Sequence, residues 1–172
     1  TTFDSTNGKV VIAYADHGNS NYGTAIVGTV SGTSISFGSA VVFESANTNS
    51  DMSAIYDSSN GKVVVAYRDG GNSLYGTAIV GTVSGTSISF GSAVVFESAE
   101  VGFISATYDS TKEKVVIAYR DYGNSNYGTA IVGTVSGTSI SFGSAVVFES
   151  AGTYYTSATY DSANGKVVIS YQ

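Results

Sequence analysis

The segment YGTAIVGTVSGTSISFGSAVVFESA stands at Tyr22–Ala46, returns without a change at Tyr75–Ala99, and returns again at Tyr127–Ala151. Identical segments in like surroundings take one conformation, so the chain must fold as an array of like units. The equivalent tyrosines Tyr14, Tyr67, Tyr119 and Tyr171 set the period, with steps of 53, 52 and 52 residues. Each unit is too short to bury its apolar residues alone and must pack against its neighbours.

One unit reads as four strands. In the second copy these are A (Met52–Ser58), B (Lys62–Asp69), C (Tyr75–Val83) and a long D (Thr86–Ser98), with Gly91 placed where a bulge would bend D. Val, Ile, Tyr, Phe and Thr dominate these runs and suit a pleated surface. Asn-Gly at Asn7–Gly8, Asn60–Gly61 and Asn164–Gly165 predicts a tight type I′ turn between A and B, which the third copy breaks with Lys112–Glu113. "KVVVAY" and "SAVVF" are apolar on both strand faces, as expected of a sheet covered on both sides. No segment carries helix start and stop signals.

A period near 50 in such a chain points first to a propeller array, with an open β-solenoid as the runner-up, whose coils are usually shorter and seldom use Asn-Gly hairpin turns. The unit YDSxxGKVVxAYRDxGNSxYGTAIVGTVSGTSISFGSAVVFES resembles the highly repetitive β-propeller blades of large bacterial and environmental repeat proteins, over the whole chain. The resemblance implies an all-β fold of four-stranded antiparallel blades, three full blades plus an extra half blade. The expected organisation is a single array over 1–172, with repeats at about 1–51, 52–104 and 105–156 and a partial one at 157–172. Propellers close with about four blades or more. The expected partners are therefore further copies, two or three chains making six or nine blades, or adjoining blades of a longer chain. The sequence opens and closes in mid-unit, without a leader segment, and is expected to be a processed product or a piece of a longer protein.

Composition removes several functions. The net charge is −6, and seven Lys plus Arg are spread thinly, so no basic stripe exists for nucleic acid. No apolar run approaches the roughly 20 residues of a membrane-spanning helix. Cysteine is absent, which excludes disulfides and thiolate metal sites. An extracellular or cell-surface location is the expectation that fits an adhesive repeat protein.

The copies differ in two places. The D–A crossovers read NTNSDM (Asn47–Met52), EVGFI (Glu100–Ile104) and GTYYT (Gly152–Thr156); the B–C loops read ADHGNSN, RDGGNSL and RDYGNSN. Alternate connections emerge on one side of a blade array, so the variation gathers on one face. That face presents His17, Arg68, Phe103, Arg120, Tyr122, Tyr154 and Tyr155 as candidate ligand-binding residues. Carbohydrate is the ligand class these side chains suit. The alternative is a scaffold with no ligand, and a glycan-processing enzyme comes third.

Catalytic patterns are missing. His17 is the sole histidine, which precludes a His-based triad within one chain. Glu44, Glu97 and Glu149 recur once per unit and are expected to act as edge charges or turn acceptors rather than as a catalytic pair. Asp16, Asp69 and Asp121 are the only candidates for a calcium loop, but the spacing departs from the usual ligand pattern and Leu74 removes one ligand position. Asx turns account for these loops more simply. No metal and no cofactor are expected.

Overall fold

The computed structural model describes residues 1–48 and 51–172. Among them there is no α-helix, and the one helical turn is a three-residue 3-10 turn at His17–Asn19. The fold is all-β, and every strand pair is antiparallel.

The first module contains β1 (Thr2–Asp4), β2 (Lys9–Asp16), β3 (Tyr22–Ser31), β4 (Ser34–Phe37) and β5 (Val41–Asn47). The second contains β6 (Met52–Asp57), β7 (Lys62–Asp69), β8 (Tyr75–Ser84), β9 (Ser87–Phe90) and the first half of β10 (Val94–Asp109). The rest of β10 opens the third module, followed by β11 (Lys114–Asp121), β12 (Tyr127–Ser136), β13 (Ser139–Phe142) and β14 (Val146–Gly152). A last hairpin joins β15 (Ser157–Asp161) to β16 (Lys166–Ser170). In each module the order is A beside B beside C, and both pieces of D lie along C.

Three local expectations are corrected. The A–B connection is not a two-residue type I′ turn. Asp4 pairs with Lys9, leaving four residues between, and the Asp4 carboxylate accepts from the amides of Thr6 and Asn7 at 3.0 Å each. Only Gly8 takes a left-handed φ, +63°. Asp57, Asp109 and Asp161 repeat the arrangement. The third copy keeps the same loop by placing Glu113 at φ +57°, a conformation that costs a residue with a Cβ about 1 kcal/mol.

Strand D, secondly, is interrupted rather than bent. It stops at Phe90 and resumes at Val94, and Gly91 donates its amide to the Val80 carbonyl. A Cβ at Gly91 would strike the Thr138 carbonyl of the next module, so glycine is required there by the neighbour's approach. Thirdly, the second crossover is not a loop. β10 runs through it for 16 residues, pairing first with β8 and then with β11. A bulge sets Phe103 and Ile104 against one residue of β11, between the Gly102–Arg120 and Ser105–Ala118 pairs.

The core lies between modules, not within them. Val11, Ala25 and Val27 of the first module meet Val63, Val65, Tyr67, Ile79, Val83 and Ile88 of the second. Val64, Ala66, Ala78, Val80 and Phe96 on the second module's other face meet Val115, Ile117, Tyr119, Ile131, Val135 and Ile140 of the third. Alternate residues of one strand therefore serve two different cores, which explains why strand B is apolar on both faces. Each joint also carries a polar bond: Tyr67 donates to Glu44 at 3.2 Å, Tyr119 to Glu97 at 3.1 Å and Tyr171 to Glu149 at 2.9 Å. These glutamates thus accept across module joints, and Glu44 and Glu97 also accept locally from the backbone amides of Ser45, Ala46 and Ser98. Burial, with the nearby Asp69 and Asp121 charges adding to it, raises Glu44 and Glu97 above the ordinary carboxylate range against the pull of the tyrosine bonds.

Candidate functional site

The B–C loops and the D–A crossovers do share one side of the molecule. The Gly70 amide bonds to the Asn47 carbonyl at 3.0 Å, and the Tyr122 amide bonds to the Glu100 carbonyl at 3.1 Å. Each B–C loop folds on its own aspartate. Asp16, Asp69 and Asp121 accept from the amides of Gly18, Gly71 and Gly123 at 3.0, 2.9 and 2.9 Å. The two residues before strand C are left-handed in all three loops: Ser20–Asn21, Ser73–Leu74 and Ser125–Asn126. The three aspartates thus sit in separate modules, each engaged by its own loop. Among the described residues no group of three or more His, Cys, Asp or Glu gathers where a metal ion could be held.

The last residue but one of strand B points into this face: Ala15, Arg68 and Arg120 in successive modules. Arg68 reaches two carboxylates, Glu100 at 2.6 Å and Asp51 at 3.4 Å. Arg120 has none among the described residues. Its guanidinium carbon lies 4.2 Å from the centre of the Tyr154 ring, 4.6 Å from that of Tyr122 and 6.0 Å from that of Phe103. Its Nε donates to Asn126 Oδ1 at 3.3 Å. The rings face the cation with their negative π surfaces, so they hold the charge without neutralising it.

Backbone devices aim these rings. Phe103 is in the β10 bulge at φ +51°, and its counterpart Tyr155 also has φ +51°. A bulky residue in that region is uncommon and marks a position held by its surroundings. Phe103 packs against Tyr154 and Tyr155 with centroids 5.6 and 5.2 Å apart. Tyr122 lies over Gly102, where a Cβ would come within 3.0 Å of the ring. The outer end of the cluster is open to water, with Tyr155 70% exposed.

Of the residues singled out from sequence, the structure brings together Phe103, Arg120, Tyr122, Tyr154 and Tyr155. Arg68 belongs to a neighbouring ion-pair cluster. His17 is exposed in the first module's loop, at the position of Tyr122 but beside Ala15 instead of an arginine. Asn49 and Ser50 of the first crossover lie outside the described residues.

Asn126, Glu100, Asp51 and Gly102 are participants that sequence reasoning passed over. Their signal was present in the copies. Arg120 has Asn126, whereas Arg68 has Leu74 and its buried Nε is left without a hydrogen bond; Asn21 faces Ala15, and its buried Oδ1 is left without one. Only the third module holds both halves of the pair. No protein-family model matches this chain, and no curated protein matches it either.

Proposed function

We propose that the chain is an arc of a β-propeller, three four-stranded blades followed by an A–B half blade, of the kind seen in highly repetitive bacterial and environmental proteins. It acts as a non-enzymatic recognition module at a cell surface or outside the cell. The ligand is a carbohydrate bearing a carboxylate. The observation that carries this reading is the Arg120 cluster: a cation held among three rings, with no carboxylate on it among the described residues, beside the exposed ring of Tyr155. Sugar rings stack on such faces through their C–H surfaces, and a guanidinium bonds a carboxylate with two parallel donors. The equivalent Arg68 is already occupied by Glu100 and Asp51 and offers no such site.

Titration calorimetry with an oligosaccharide containing uronic acid, and with its neutral counterpart, tests the reading. Binding of the acidic sugar alone is expected, with at least a tenfold loss in Tyr155→Ala and a larger loss in Arg120→Ala. Equal binding of both sugars, or binding unchanged in both variants, overturns it. A purely architectural repeat is the second reading, favoured by the absence of any enclosed cavity among the described residues. It requires that no glycan bind at all.

A further inference from the structure

The two ends of the module array are the two halves of a joint that the molecule already makes twice inside itself. Val30, Ile35 and Phe37 of the first module are 56%, 45% and 48% exposed, although of their counterparts Val83 and Ile88 are buried in the joint with the preceding module and Phe90 packs against it. At the other end Val132 is 46% exposed, whereas its counterparts Val27 and Val80 are 0% exposed. The glycine sockets tell the same story. Gly38 and Gly91 each receive the C–D turn of the next module, at Thr86 and Thr138. The equivalent Gly143 meets only a carbonyl of its own module.

The last hairpin covers only the inner part of that open face. It is seated as its counterparts are: Ala158 donates its amide to Ser105 Oγ at 2.9 Å, as Ala106 does to Ser53 Oγ at 3.0 Å, and Tyr171 packs on Phe148 with centroids 5.2 Å apart. Among the described residues no strand lies beside the outer edge of β16. The strand that fits that edge is β3, because the segment that begins with it is identical in all three copies and pairs with β2, β7 and β11 in one register.

We infer that this chain associates head to tail with a second copy of itself. β3–β5 of the partner adds to β16, buries Val132, and brings its own Thr33 turn to Gly143. The occupant is a second copy because each exposed face repeats, residue for residue in the C–D half, a surface whose partner surface is exposed at the other end. One A–B hairpin per joint is then redundant. The one released is β1–β2, which pairs over three residues, while β15–β16 pairs over five and already makes the joint's contacts. Three blades from each chain give a closed ring after two copies, within the usual range of about four to eight blades. That count rests on the propeller reading; the joint does not.

Sedimentation of the 172-residue chain at micromolar concentration is expected to give twice 17.6 kDa. Val132→Glu and Ile35→Glu change residues that are half exposed in the single chain, and each is expected to yield a folded monomer by circular dichroism. Mixing the two variants is expected to restore a dimer, because one intact joint remains between them. Amide exchange in the wild-type dimer should be fast over Thr2–Asp4 and Lys9–Asp16 and slow over Ser157–Asp161 and Lys166–Ser170. A wild-type monomer, a dimer that survives both substitutions, or a mixture that stays monomeric overturns the joint. Fast exchange over Ser157–Ser170 with slow exchange over Thr2–Asp16 overturns the release of β1–β2. An open-ended series of masses keeps the joint and overturns ring closure, and the propeller curvature with it.

Discussion

Arg68 and Arg120 occupy the same position of consecutive modules, yet one is an anchor and the other a free charge. Around Arg68 stand Glu100 and Asp51, with Gly70 and Gly102 where the next module has Tyr122 and Tyr154. Around Arg120 the place of Glu100 is taken by Gly152, and Phe103 reaches the arginine where Asp51 did before. Both arginines stand on the same position of strand B, paired to strand C in the same register. Exchange of about four side chains turns an ion-paired cross-link between crossovers into a cation held by rings. The lesson is that the scaffold fixes where an arginine sits, while the crossovers decide whether its charge remains available to something outside the protein.

The most disruptive way to break this contrast is to strip Arg68 of both partners. Asp51→Ala with Glu100→Ala leaves a largely buried guanidinium unpaired, and thermal unfolding should report a loss of about 3 kcal/mol. Arg120→Ala should lose less, about 1–2 kcal/mol, since the rings contribute cation–π attraction without a buried counter-charge. The difference between the two losses measures how unlike the sites are; equal losses would mean that the rings hold Arg120 as firmly as carboxylates hold Arg68.

A smaller change runs in the opposite direction. Leu74→Asn gives the orphaned Nε of Arg68 the acceptor that Asn126 gives Arg120, at a left-handed position that asparagine tolerates better than leucine. A gain of about 1 kcal/mol in chemical denaturation is expected. The smallest effect on stability is the most pointed about function. Gly152→Glu places the counterpart of Glu100 beside Arg120, and its stability should move by less than about 0.5 kcal/mol. Binding of an acidic sugar should be lost all the same, since the arginine then has a carboxylate of its own.

Much of this molecule can be read from its letters. Runs such as KVVVAY, apolar on both faces, announce strands packed on two sides, and the structure assigns Val63 and Val65 to one joint and Val64 and Ala66 to the other. The gathering of B–C loops and crossovers on one side was equally legible. The turn between A and B was misread because Asn-Gly suits two geometries, and the choice is made by the aspartate that caps the four-residue loop. The run of β10 through the second crossover depends on pairing with β11, a partner that no local pattern reveals. The Arg120 cluster was named but not understood, because its meaning lies in comparison between columns of the repeat: alanine with asparagine, arginine with leucine, arginine with asparagine.

The perfect copying of the C–D half has a further consequence for how the chain finds this state. Strand B of any module can zip onto strand C of any other without a mismatch, so side chains do not label the correct partner. Only chain connectivity does. The native B–C loop spans five residues, Gly70–Leu74 in the second module, whereas the next available C strand lies a full 52-residue step farther on. Loop closure grows with the logarithm of length, and this tenfold difference is worth about 2 kcal/mol. That margin favours the right partner only about thirtyfold within one chain. It shrinks as chains crowd together, because a strand from another molecule needs no loop to be closed at all. Refolding from denaturant should therefore yield more mispaired material at each rise in protein concentration, the kinetic counterpart of a repeat copied without error.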